Sequence, residues 1–349
     1  MRRAMEFFLR MDDSWPDSRR FTVSQVRCVP GLTSGTSALS PCSSFGILQR
    51  TWALPMPFTA VRHPVPDLPA RAAEPTRIVV GITHQETCLV LRGRLRALRE
   101  AGFQVTLVSN PGELLDRAAA SEGVESRAIP MQRQIAPAAD LISLIRLWLL
   151  LRRLKPDMVE FSTPKAGLLG TLAAKFCGVP ARIYMLRGLK LETATGFKRL
   201  ILLTAERLAA ASAHVVLCNS QSLRARALAL GVAPAAKLFL LGGGSSNGVD
   251  MDLYSPGKSD VRERYGLPQD AHVVGFVGRL TRDKGQPELV EAFDSILLAE
   301  PEAHLLLVGW FDASEDLLGE AVRARIESHP RIRMTGFVEG TAAFTGSWT

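Results

Sequence analysis

From residue 77 onward, short β-branched apolar runs alternate with stretches of helical period, and this alternation restricts the chain to a parallel α/β architecture. Residues 77–83 (RIVVGIT) read as a buried strand. Cys88, Leu91, Leu95 and Leu98 then recur at helical spacing, with Arg92, Arg96 and Arg99 on the other side. Gly102 stands where a helix ends, and residues 103–108 (FQVTLV) read as the next strand, completing one β-α-β unit with a right-handed crossover. The spacing predicts further strands at 158–163, 181–186, 214–219 and 237–241, with helices near 138–154, 166–176, 197–211 and 222–230. After the loop 242–250 (GGGSSNGVD) a second run begins, with strands at 271–277, 304–308 and 332–338 and helices at 286–298 and 315–327. The pattern then stops, and residues 340–349 (GTAAFTGSWT) carry none. Three strands are few for a nucleotide-binding domain, so the last one is expected to leave an unpaired edge and an uncovered apolar face.

Residues 1–75 differ in texture. Their Ser, Thr and Pro clusters carry no sustained period, which predicts a disordered or spurious extension. The expected organisation is therefore an extension at 1–75, a first domain at 76–245 and a partial second domain at 246–349. A share of 47% apolar and 22% charged residues belongs to a globular protein. Cys28, Cys42, Cys88, Cys177 and Cys218 are too sparse for a disulfide scaffold and form no C-x-x-C pair, so they read as buried thiols. No uncharged apolar run reaches the ~18–20 residues of a membrane span, and Glu6 and Arg10 interrupt the start of a secretory signal. The expectation is a cytoplasmic protein. A net charge of +8 suits phosphorylated ligands or anionic lipid, and without C2H2 spacing or an aromatic-basic RNA motif, nucleic acid is not expected.

Residues 278–285 (GRLTRDKG) carry the sharpest chemistry. They follow a strand and open a helix, at the sheet edge where open α/β folds bind ligands. Gly278 and Gly285 let the backbone approach an anion at a helix N-terminus, while Arg279 and Lys284 supply charge suited to a diphosphate; the alternative is a solvated basic turn. The first β-α turn (THQET, 83–87) lacks G-x-G-x-x-G, which argues against a dehydrogenase. Its His84 reads as an acid, base or substrate contact, or as a surface histidine. Asp250 and Asp252 have the form of a metal-holding D-x-D, but no third ligand is in view, so they read as shaping a turn and no metal is expected. The basic cluster 146–155 borders an apolar stripe, either as a packed helix with a solvated end or as a contact with an anionic membrane surface.

Taken together, residues 277–285 with 288–293 (ELVEAF) resemble the donor-phosphate motif of the family 4 glycosyltransferases. Asn247, Gly248 and Asp250 with Tyr254 and Pro256 resemble the loop that enters their second domain. Residues 163–167 (TPKAG), 186–189 (LRGL) and 219–223 (NSQSL) are similar to first-domain signatures of bacterial polysaccharide members. The resemblance, over 77–338, implies a GT-B fold of two Rossmann-like domains facing a cleft, the second incomplete here. It implies retaining transfer from a nucleoside diphosphate sugar to a lipid-linked or saccharide acceptor in polysaccharide biosynthesis, with no cofactor or metal. By motif, Gly278, Arg279, Lys284 and Gly285 would hold the donor diphosphate, Lys165 would face the acceptor, and Arg187 would stand where many relatives carry a histidine before glycine at the cleft. With His84, Arg187 completes the candidate catalytic pair. The relatives' paired-glutamate motif has no counterpart after Val338, so the chain as given is expected to be inactive; the alternatives are a non-catalytic remnant and a GT-B-like sugar-nucleotide epimerase.

Overall fold

The computed structural model describes residues 75–255, 259–311, 318–338 and 340–345. The expected N-terminal extension, but for its last residue, lies outside them. The described residues form two compact units, 75–85 with 95–245 and 86–94 with 246–345.

The first unit is built on one seven-stranded parallel sheet. Its strands are β1 (Arg77–Gly81), β2 (Gln104–Ser109), β3 (Glu125–Ala128), β4 (Met158–Ser162), β5 (Ala181–Leu186), β6 (Val215–Cys218) and β7 (Leu238–Leu240). They lie in the order β3-β2-β1-β4-β5-β6-β7. The connecting helices are α1 (Arg94–Glu100), α2 (Glu113–Glu122), α3 (Pro137–Leu154), α4 (Pro164–Phe176), α5 (Gly196–Ser212) and α6 (Gln221–Ala229). Strands covered on both faces are rich in apolar residues, as in β4, all five residues of which are buried, Glu160 and Ser162 included. Beside it, Val79, Val108, Val159 and Phe161 pack with Leu147 and Leu151 of α3 and Leu169 of α4. Further along, Tyr184, Val216 and Cys218 meet Ala209 and Ala210 of α5.

Two departures from the sequence reading lie here. The periodic stretch from Cys88 to Leu98 is not one helix: it divides into a 3-10 turn (Gln85–Leu91) and α1, with Gly93 at φ 78° between them. The α2–β3 pair has no sequence counterpart, because α2 buries only Leu115, Ala119 and Glu122, and the edge strand β3 has no buried residue. Such weak burial leaves no legible period.

The second unit contains α7 (Val261–Arg264), β8 (Val273–Val277), α8 (Gln286–Ala299), β9 (His304–Val308), α9 (Glu320–Ser328), β10 (Ile332–Met334) and the short α10 (Ala342–Thr345). Its sheet is parallel with the order β10-β9-β8. Alternate residues of β9 serve opposite faces: Leu305 and Leu307 join Val290, Phe293 and Ile326, while Leu306 and Val308 join Val261, Leu267 and Phe344. Both faces of β9 are thereby covered, whereas β10, the last strand, forms the edge of the sheet with Ile332 buried and Met334 38% exposed. Phe344 comes from the stretch read as patternless, and its single helical turn is too short to show a period. The last strand is also shorter than expected, ending at Met334.

Candidate functional site

In the first unit the strand order reverses between β1 and β4, the point outside whose carboxyl ends open α/β sheets bind ligands. Thr83 follows β1 and Thr163 follows β4. Thr163 has φ 73° and ψ 149°, a conformation that non-glycine residues adopt only under constraint. The constraint is visible. The Thr83 amide donates to Thr163 Oγ1 at 3.2 Å, and the two hydroxyls lie 2.6 Å apart. Thr83 Oγ1 also accepts the Ala166 amide at 3.0 Å. The first turn of α4 is therefore capped from the neighbouring loop, because its own N-cap hydroxyl is engaged elsewhere.

Three of the expected side chains stand on this edge. His84 is half-buried, with Nδ1 3.4 Å from Arg133 Nη2. Lys165 is 11% exposed and paired at 2.6 Å with Asp140, itself 21% exposed; it also donates to the Gln134 carbonyl. Its ammonium thus fastens the start of α4 to the approach and first turn of α3. Arg187 follows β5, and its carbonyl accepts from Asn219 Nδ2 at 3.2 Å, joining the loops after β5 and β6. Hydroxyls, an imidazole and a guanidinium on one sheet edge suit a ligand rich in hydroxyl or phosphate oxygens.

In the second unit, β8 delivers residues 278–285 to the start of α8. Gly278 is at φ 153°, and its amide donates to Val308 O at 2.9 Å. Leu280 likewise donates to Trp310 O at 2.9 Å. This pairing holds the loop against the turn after β9, where a Cβ on Gly309 would lie 1.8 Å from the Gly278 oxygen. Gly285 takes the left-handed conformation, φ 74°, that lets a 3-10 turn (Arg282–Lys284) pass into α8. Thr281 is buried and donates to Asp283 Oδ1 at 2.5 Å. Lys284 lies 3.6 Å from Asp283 and is half exposed. Burial raises the Asp283 carboxyl, but the Thr281 hydroxyl and the charges of Lys284 and Arg279 outweigh it and hold the group below its usual range. The loop is a cationic turn built on close backbone contact, and it can receive an anion.

Sequence reasoning missed Gly309 altogether, and it quoted Thr281 and Thr163 within motifs without foreseeing the buried hydroxyl of the one or the strained backbone of the other. A glycine directly after an apolar run was the available sign for Gly309; the positive φ of Thr163 had none. Asn247 and Gly248 lie in an exposed loop, with Gly248 at φ 73°. Asp250 Oδ1 accepts the amides of Asp252 and Leu253, both at 3.1 Å, which closes a turn. Among the described residues no group of three or more His, Cys, Asp or Glu is placed to hold a metal ion. Burial pushes the Cys88 thiol up to about 12 and Cys218 to about 11, so neither is a nucleophile at neutral pH.

A profile of glycosyl transferase 4-like domains matches residues 90–244, and one of glycosyl transferases group 1 matches residues 271–347. The capsular polysaccharide biosynthesis glycosyltransferase CapM of Staphylococcus aureus is 33% identical over 264 residues, covering 75% of this chain and 68% of CapM. The chain belongs to the family 4 glycosyltransferases. An Escherichia coli relative, UDP-Gal:alpha-D-GlcNAc-diphosphoundecaprenol alpha-1,3-galactosyltransferase, is 28% identical over 191 residues, 53% of this chain and 48% of that protein. Among solved structures, Anabaena HepE in complex with UDP and glucose superposes with TM-score 0.58 at 19% identity, over 77% of this glycosyltransferase and 72% of HepE. A UDP-N-acetylglucosamine 2-epimerase does so with TM-score 0.54 at 15% identity, over 78% and 72% of the two chains. Transferases and epimerases thus share the fold, and the sequence relatives decide for a transferase in polysaccharide biosynthesis.

Proposed function

We propose that this glycosyltransferase moves a sugar from a uridine diphosphate sugar to a lipid-linked or saccharide acceptor, with retention at the anomeric carbon and without a metal ion. The observation that carries the reading is the turn 278–285. Its two glycines give close backbone approach, and Arg279 and Lys284 bring positive charge to the start of α8. In the reaction the bond between the anomeric carbon and the diphosphate oxygen breaks, and one to the acceptor oxygen forms. The acceptor proton passes to the departing diphosphate. Positive charge fixed in advance where the leaving group gains negative charge stabilises that transition state. The hydroxyl-rich edge of the first unit, with His84 and Arg187, supplies groups to orient the acceptor. The relatives support the substrate classes: the Escherichia coli enzyme is named for a UDP-sugar and a diphosphoundecaprenol-linked acceptor, and HepE was solved with UDP and glucose.

Titration with UDP tests the reading. Charge-assisted hydrogen bonds contribute roughly 1.5–3 kcal/mol, so Arg279→Ala and Lys284→Ala should each weaken UDP binding by about one to two decades. Unchanged affinity in both variants would reduce the loop to a solvated basic turn. Transfer of labelled sugar from a panel of UDP-sugars to undecaprenyl-linked saccharides then identifies donor and acceptor.

A further inference from the structure

Helix α3 is apolar on two sides. One side, with Leu147 and Leu151, is buried against the sheet. On the other, Leu141, Ile142, Ile145 and Leu149 recur at helical spacing and are 43–58% exposed. A helix that is apolar all round ordinarily lies within a core or against lipid. The helices α3, α4 and α5 pack side by side on one layer, and α5 adds Phe197 and Leu200, 76% and 56% exposed. Exposed apolar surface on two helices of one layer marks an interaction site.

Charge selects the partner. The only carboxylates on these three helices are Asp140, which is paired with Lys165, and Glu206, which is buried. Their exposed positions carry Arg146, Arg152 and Arg153 on α3 and Lys198 and Arg207 on α5. A protein partner with an apolar, acidic face would also match, and the test below includes that outcome for a second copy of the chain. A fluid anionic surface needs only apolar area ringed by cations. The apolar stripe begins one residue beyond Asp140, whose ion pair with Lys165 anchors it beside the ligand-binding edge of the sheet. Among the described residues no helix is long and apolar enough to cross a membrane.

We propose that the exposed faces of α3 and α5 form a surface that docks on an anionic bilayer, so that the sheet edge bearing His84 and Arg187 meets a lipid-linked acceptor at the headgroup level. The inference rests on the transferase reading for its purpose, though not for its test. The full chain is sedimented with vesicles of phosphatidylcholine alone and of phosphatidylcholine with one-third phosphatidylglycerol, without donor or acceptor. It should bind the anionic vesicles, more weakly as salt rises. Each cation near such a surface contributes about a fivefold gain in partitioning, so Arg146→Gln with Arg153→Gln should lose on the order of twentyfold. Ile142→Ser with Ile145→Ser should also lose binding, and because these side chains are exposed both double variants should keep the parent circular dichroism spectrum. Equal binding to both vesicle types, or no loss in either variant, would overturn the proposal. So would self-association abolished by Ile142→Ser with Ile145→Ser in a chain that ignores vesicles, since a second copy would then occupy the face. Failure of UDP binding would leave the vesicle result standing, and failure of vesicle binding would leave transfer to a water-soluble acceptor intact.

Discussion

Replacing Gly309 by alanine tests whether the turn 278–285 works through its backbone. The added Cβ would stand 1.8 Å from the Gly278 oxygen and 2.9 Å from its carbonyl carbon. Both are backbone atoms, so no side-chain rotation relieves the clash, and one of the two turns must retreat by more than an ångström. That movement breaks or stretches the bonds Gly278 N to Val308 O and Leu280 N to Trp310 O. Each backbone hydrogen bond is worth about 1 kcal/mol net, and strain in the remaining contacts adds to the loss, so roughly 2–4 kcal/mol is expected. Displacing a binding group by about 1 Å can cost a hundredfold in rate. Gly309→Ala should therefore lower the thermal midpoint and weaken UDP binding as severely as Arg279→Ala, although residue 309 contributes no charge. Calorimetry and thermal denaturation on the same samples provide the measurement. Parent-like stability with parent-like UDP affinity would refute the close-contact argument; lost stability with retained affinity would show that the loop binds without this support.

Other outcomes follow from the charges. Burial lifts the Glu206 carboxyl to about 7, although the hydrogen bond from Tyr184 at 2.6 Å opposes the shift. The folded chain therefore holds this proton while the unfolded chain, near 4.3, has released it, so stability falls as pH rises from about 4 to 7, by roughly 3 kcal/mol. Chemical denaturation across that range should show the slope, and Glu206→Gln should remove that part of it. Asp283 sits 3.6 Å from Lys284 and repels an incoming diphosphate, so Asp283→Asn should tighten UDP binding several-fold at low salt while still accepting from Thr281; weaker binding would mean that the carboxylate positions Lys284. Lys165→Met strands the largely buried Asp140 and should cost about 2 kcal/mol, read as a lower unfolding midpoint; an unchanged midpoint would deny the pair its anchoring role.

The linear pattern determined the architecture because burial on both faces writes itself into a strand as an unbroken apolar run, and burial on one side writes itself into a helix as a period. The apolar runs within 77–83 and 304–308 needed no other information. Glycines and cations clustered at 278–285 were legible for a related reason: anion binding by a backbone turn demands residue types that packing alone does not select. Where burial was slight, as in α2 and β3, or an element had one turn, as in α10, the chain carried no pattern to read. Tertiary structure alone decided which loops meet. Thr83 and Thr163 are far apart in sequence and share hydroxyl bonds because strand order reverses between β1 and β4. Lys165 meets Asp140, 25 positions earlier in the chain, because α3 and α4 lie side by side. The need for glycine at 309 follows from the backbone of residue 278 crossing 1.8 Å from where a Cβ would stand, a relation that exists only once two strands lie side by side.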